Sequence, residues 1–212
     1  MADAGRRCRQ GRRASQVGAV GAGTVRAMSP IEGPYLASVV VLGVAGILKV
    51  AAPASTRVAL RSAGLPGTPW VARGLGIGEV GLAGVALALG GWPAALAVGV
   101  VHVGFAWFST RLISLGRGRA SCGCFGGSDA PVSRLHVVVN LAVAAGAFVV
   151  AVTSPEGLVD AVRTVADDAG TGAAVGFLVG VAVLARLLVA LLTDLPALQA
   201  AARGRGARSV TA

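Results

Sequence analysis

Ser121-Cys122-Gly123-Cys124-Phe125-Gly126-Gly127 stands between two long apolar runs, roughly 94–115 and 133–152, in a polar turn that also carries Arg117, Arg119 and Asp129. A short polar break bounded on both sides by apolar runs of membrane-crossing length reads as the turn between two transmembrane helices. It is the one place in the chain where two cysteines sit together. Working outward from it, the rest resolves into further apolar spans, short connections and basic ends.

Composition supports this. Of 212 residues, 55% are hydrophobic and 13% charged, with a mean hydropathy of +0.76. A soluble domain carries about 25% charged residues. The charges also collect in a few breaks and leave long uncharged runs. The net charge is +10 and almost all of the positive charge is arginine, Lys49 being the one lysine. Such a balance raises nucleic acid as a partner, but the arginines flank apolar runs and no aromatic-basic module appears, so no nucleic acid is expected. Arginines beside membrane spans set topology instead.

In chain order, 1–34 is a Gly/Ala/Arg-rich basic leader carrying Arg6, Arg7, Arg9, Arg12, Arg13 and Arg26, without the apolar stretch of a secretory signal, and is expected to be disordered. A first span runs over about 36–51, with Tyr35 as an interface anchor and Pro53 as its stop. The connection 55–70 holds Arg57 and Arg61 and a small amphipathic piece. The second span, about 71–89, contains Glu79. Its glycines Gly74, Gly78, Gly81 and Gly84, at helical spacing, are expected to let helix backbones approach. Gly90-Gly91-Trp92-Pro93 turns into the third span, about 94–115, with His102, Trp107 and Arg111. After the cysteine turn, Pro131 and Ser133 open a fourth span to about 152, with His136 and Asn140 one turn apart. A polar connection, 153–171, then leads to a fifth span, about 172–192, carrying Arg186, and a basic tail after Pro196. The expectation is an all-α polytopic bundle: a four-helix domain over 35–153, with the cysteine loop at 121–127, and then 154–212 with an acidic connection, a fifth transmembrane helix and the tail.

Two cysteines one residue apart close a disulfide only in a small strained ring, and Gly123 between them removes the side-chain penalty of that turn. Strain makes a disulfide easier to reduce and therefore a better exchanger. Arg117, Arg119 and Arg134 nearby favour the thiolate, Gly126 and Gly127 leave the turn adaptable, and His136 could assist deprotonation. The plainer alternative is two unpaired loop cysteines. A metal site is disfavoured because two thiolates are too few for a closed tetrahedral zinc site, and His102 and His136 would have to be brought in from the helices. Cys8 lies in the leader, far from anything organised. Intramembrane charges mark function more often than surface ones. Lys49 and Glu79 are expected to pair across the first two spans, either to fix packing or to handle protons. Ser133, His136 and Asn140 share one helical face.

The succession of a span ending in Lys49 and Pro53, a span with Glu79, a third span, Cys122-Gly123-Cys124-Phe125-Gly126 and a span with Asn140 resembles the methylamine utilisation protein MauE family, within the wider DoxX-like membrane proteins. The resemblance covers about 36–152, and the Cys-Gly-Cys-Phe-Gly motif is its most specific part. It implies a four-helix membrane core tied to thiol–disulfide work, in maturation of the disulfide-rich small subunit of methylamine dehydrogenase, often beside a thioredoxin-like protein. It also implies an Arg-Asn pair in the fourth span. Here Val139 precedes Asn140, and Arg134 is the candidate to serve instead.

The reading is therefore a multi-pass cell-membrane protein acting in thiol–disulfide exchange or maturation. Cys122 and Cys124 would cycle, Arg117, Arg119 and Arg134 would support the thiolate, and Lys49, Glu79, His136 and Asn140 would shape the core. Its partners would be the lipid bilayer and a thioredoxin-like or disulfide-containing client. No cofactor is evident, and a quinone is left open with no residue to support it. The alternatives are a non-catalytic scaffold recruiting a redox partner, or a small-solute or electron carrier. Counting arginines by side puts the cysteine loop inside if the chain starts at Met28. A cytoplasmic arginine leader puts it outside, where disulfides persist. The outer face is the expectation.

Overall fold

The computed structural model describes residues 30–117, 131–153 and 155–209. Within them every element is helical: α1 Glu32–Ala51, α2 Ala54–Ser62, α3 Pro69–Ala88, α4 Trp92–Ser114, α5 Arg134–Thr153, α6 Leu158–Ala169 and α7 Thr171–Ser209. Five of these are long and apolar enough to cross a membrane: α1, α3, α4, α5 and the Thr171–Pro196 part of α7. Large aliphatic side chains stand exposed on the outside of these helices, among them Ile77, Val100, Val138 and Leu187. In water such a surface would be untenable; against lipid tails it is matched. The expected bundle of membrane helices is thus what the chain forms.

Local chemistry sets the breaks. α1 ends at Ala51 because Pro53 disfavours helical backbone in the residue before it, and Ala52 has left the helix at φ −130°, ψ 71°. α2 closes on Gly64 at φ +74°, with the Leu65 amide donating back to the Leu60 carbonyl. α3 opens on Thr68, whose hydroxyl accepts the Val71 amide at 3.2 Å, with Pro69 in the first turn, where its missing N–H is no loss. α4 ends in a Schellman motif: Gly116 takes φ +69° and the Arg117 amide donates to the Leu112 carbonyl at 3.0 Å.

α1 is the centre. It packs along α3 and α7 and touches α5, while α4 packs along α5. Tyr35, Leu36, Val39, Leu42, Val98, Ala147 and Val150 lie in one core, to which α7 adds Val181 and Ala185. The fifth span is therefore part of the core. Tyr35, expected at the interface, is buried at 4% exposure, because the start of α1 lies inside the bundle.

Two further expectations are corrected, and the polar connection gains a helix. The glycines Gly74, Gly78, Gly81 and Gly84 do not mediate a close approach, since a Cβ at any of them would meet nothing within 4 Å. The close approach is between Gly46 and Gly76, where a Cβ on either would fall 2.6–2.7 Å from the other's carbonyl oxygen. The connection 153–171 contains the twelve-residue helix α6, which turns Ala161 into the core and leaves Asp160, Arg163, Asp167 and Asp168 exposed. And Pro196 does not end the last helix, which continues through it to Ser209.

Candidate functional site

The polar side chains of the spans gather at one end of the bundle. Lys49, in the last turn of α1, donates from Nζ to Glu79 Oε2 on α3 at 2.7 Å, and the two residues are 4% and 6% exposed. The pairing expected across the first two spans is therefore formed. It exists because Gly46 and Gly76 bring the helices together one turn away. Lys49 Nζ also lies 5.5 Å from the Phe105 ring centroid on α4, a cation–π contact. His102 stands edge-on to the same ring, 5.7 Å between centroids, and its Nδ1 is 2.9 Å from the Val98 carbonyl. Donation from Nδ1 to that carbonyl leaves Nε2 as an acceptor.

The face predicted on α5 is present. His136 and Asn140 are buried, and the Asn140 amide donates to the His136 carbonyl at 2.7 Å. The Ser133 amide donates to His136 Nδ1 at 3.2 Å, and the Ser133 hydroxyl lies 3.2 Å from the same nitrogen. With Nδ1 accepting, the ring proton belongs on Nε2, and Leu192 of α7 lines the same small cavity as the ring. The Leu192 carbonyl lacks its usual helix donor. In a helix it would accept from the amide four residues on, and residue 196 is proline. The proline that looked like a helix end instead lies within α7, one turn beyond the Leu192 that lines a cavity with His136.

Lys49, His102, Phe105, His136 and Asn140 line one small cavity, which Leu188 and Leu192 of α7 help close. Its volume is about 40 Å³. A buried water needs about 10–15 Å³ and two to four polar partners, so this space suits roughly three waters held by these side chains. The cavity lies toward the end at which α4 finishes and α5 begins, the end joined by 118–130.

Cys122, Gly123, Cys124, Phe125, Gly126 and Arg119 lie outside the described residues, as do Cys8 and the leader up to Ser29. Their flanks are described. Arg117 is exposed just after the end of α4, and Arg134 is exposed at the first residue of α5. Arg134 is not among the cavity residues; Val139 and Asn140 are. Arg111, near the end of α4, donates from Nε to the Ala63 carbonyl at the end of α2 at 2.6 Å. Arg57 and Arg61 both donate to the Gly67 carbonyl, so these loop arginines also hold backbone in place. Arg186, without an evident partner in the sequence, pairs weakly with Asp194 at 3.8 Å, both side chains largely exposed. Sequence reasoning placed His102 in the third span but missed that it joins the cluster; its signal was a histidine in an otherwise apolar span.

Among the described residues no three His, Cys, Asp or Glu side chains converge as a metal site would require. Comparison with curated proteins and with solved structures returns no match. The family model of the methylamine utilisation protein MauE matches residues 30–153, which contain the ion pair, both histidines, Asn140 and the cysteine segment. With more than half of its length under that match, and with the membrane helices that the sequence called for, this chain belongs to the MauE family of multi-pass membrane proteins.

Proposed function

We propose that this protein is an integral membrane thiol–disulfide exchange or maturation factor, with Cys122 and Cys124 as the cycling pair. The observation that carries the reading is the placing of the buried polar cluster Lys49, Glu79, His102, His136 and Asn140 under the helix ends, Arg117 and Arg134, that flank the Cys-Gly-Cys segment. The family name directs the client toward methylamine utilisation, as a disulfide-containing protein. In the oxidising direction a client thiolate attacks one sulfur and the Cys122–Cys124 bond breaks. A mixed disulfide forms, and a second client thiolate then displaces the reduced pair. A thioredoxin-like partner in its disulfide form resets the cysteines and leaves as the dithiol. Arg117, Arg119 and Arg134 favour the thiolate by charge. We place the loop on the outer face, where an oxidised pair persists.

The test is labelling of intact cells with a membrane-impermeant maleimide in a Cys8→Ser background. Labelling that appears only after reduction supports an outward disulfide. Labelling only after permeabilisation, whatever the reductant, places reduced thiols inside and removes the oxidising-face mechanism. Cys122→Ser and Cys124→Ser are expected to abolish exchange with a model dithiol while leaving insertion unchanged. Full exchange in the double variant ends the reading.

A further inference from the structure

α7 has two unlike faces. Its inner side carries Ala174, Val181, Ala185 and Leu192, all buried where the helix packs on α1, α5 and α6. At 3.6 residues per turn, Gly172, Gly176, Val179, Val183, Arg186 and Asp194 fall together on the opposite side, and all six are exposed. A helix face turned to lipid carries apolar side chains; this one also carries a charge of each sign. Arg186 stands ten residues before Pro196, about 15 Å inside the end of the span. A guanidinium at that depth is costly unless it is paired. Within its own chain the pairing is poor. Arg186 Nη2 is 3.8 Å from Asp194 Oδ2, beyond hydrogen-bond distance, with the two side chains 69% and 58% exposed. Asp194 Oδ1 lies 2.8 Å from the Thr193 hydroxyl.

The two charges are self-complementary. Copies inserted in the same direction pair about a two-fold axis along the membrane normal, which keeps every residue at its own depth. The head of Arg186 already lies at the level of Asp194 in its own chain, so it lies at the level of Asp194 in a second copy as well. One contact thereby forms two such pairs, each between copies and each removed from lipid. Further along the face, Gly172 and Gly176 put no side chain between the helices, and a Cβ at either meets nothing within 4 Å in the single chain. A lipid phosphate answers Arg186 alone and is repelled by Asp194 beside it. A second copy answers both charges.

We propose that the outward face of α7 is the surface through which two copies of this chain pair in the membrane, with Arg186 of each copy bonded to Asp194 of the other. The contact is independent of the thiol reading: the variant with both Cys122→Ser and Cys124→Ser is expected to pair as the wild type does.

The experiment uses the full chain with a fluorescent label at its C-terminus, in phosphatidylcholine vesicles at decreasing protein-to-lipid ratio, with copies counted by photobleaching steps. Two steps are expected for the wild type. Arg186→Asp and Asp194→Arg each place like charges across the two-fold axis and are expected to lower the dimer fraction at least tenfold. Mixing donor-labelled Arg186→Asp protein with acceptor-labelled Asp194→Arg protein is expected to restore pairing, read as energy transfer, although neither chain then has an ion pair of its own. Gly176→Leu is expected to lower the dimer fraction at least fivefold at the wild-type melting temperature, and Gly84→Leu on α3 to leave it unchanged. Should a reversed charge prevent insertion, cross-linking by copper phenanthroline decides in a Cys8→Ser, Cys122→Ser, Cys124→Ser background: Val183→Cys on the outward face is expected to link to itself and Leu178→Cys, toward the inner side, is not. Single steps for the wild type at every ratio, no energy transfer in the mixture, undiminished dimers in Gly176→Leu, or equal cross-linking at 178 and 183 would overturn the proposal.

Discussion

Lys49 and Glu79 show how one pair of residues acts in an apolar bundle. Each alone would be a buried charge without its ion-pair partner; together, at 2.7 Å, they are a hydrogen-bonded ion pair. Removing one partner is therefore worse than removing both. Lys49→Met or Glu79→Leu alone is expected to cost about 3–5 kcal/mol, because the other charge stays buried. The double variant Lys49→Met/Glu79→Leu should regain more than half of that loss. Thermal unfolding of the four proteins in detergent gives the coupling directly, and additive losses would mean that the pair does not act as a unit. The pairing could be read from the sequence, since opposite charges in successive spans have few other partners. The share of Phe105 and His102 in the same cluster could not, because it depends on how α4 is rotated against α1.

At the scale of elements, two contacts decide how helices meet. Gly46 and Gly76 let α1 and α3 touch backbone to backbone. Gly46→Ala is expected to destabilise the protein by about 1–3 kcal/mol, because its Cβ would sit 2.7 Å from the Gly76 carbonyl oxygen. Gly84→Ala, with nothing within 4 Å, should be neutral or slightly stabilising through helix propensity. Melting temperatures of the two variants check this contrast, and equal losses would contradict it. The second is at Leu192, whose carbonyl Pro196 deprives of its helix donor and which lines the small cavity beside His136, where a hydrogen bond from the ring is expected. Pro196→Ala restores an amide that competes for this carbonyl. A double-mutant cycle of Pro196→Ala with His136→Phe should show a coupling of about 0.5–1.5 kcal/mol, the worth of one hydrogen bond. Zero coupling would mean that the two residues are independent.

For the molecule as a whole, the family match ends at residue 153, but the core does not. α7 contributes Val181 and Ala185 to the packing around α1, and α6 contributes Ala161. At the far end the Gly91 amide donates to the Pro155 carbonyl at 2.6 Å, which ties the α3–α4 turn to the segment after α5. A chain ending at Thr153 is therefore expected to insert but to melt at least 10 °C lower than the full protein, read by fluorescence-detected gel filtration after heating. An unchanged melting temperature would make α6 and α7 an appendage to a self-sufficient four-helix unit.

The sequence alone determined the number and approximate place of the membrane helices, because about 20 apolar residues are needed to cross a bilayer. It also determined the family, through a short motif and two charges in apolar surroundings. Tertiary structure alone decided which glycines close a helix pair, that Tyr35 is inside, that His102 joins Lys49, and that α7 continues through Pro196. The physical reason is common to all four. In a membrane the lipid-facing and protein-facing sides of a helix are both apolar, so the periodicity that reveals a buried face in water is erased, and only packing assigns the faces. The amphipathic α6 is the reverse case: its acidic residues read as a polar connection in sequence, and Ala161 buried against the core makes them one face of a helix.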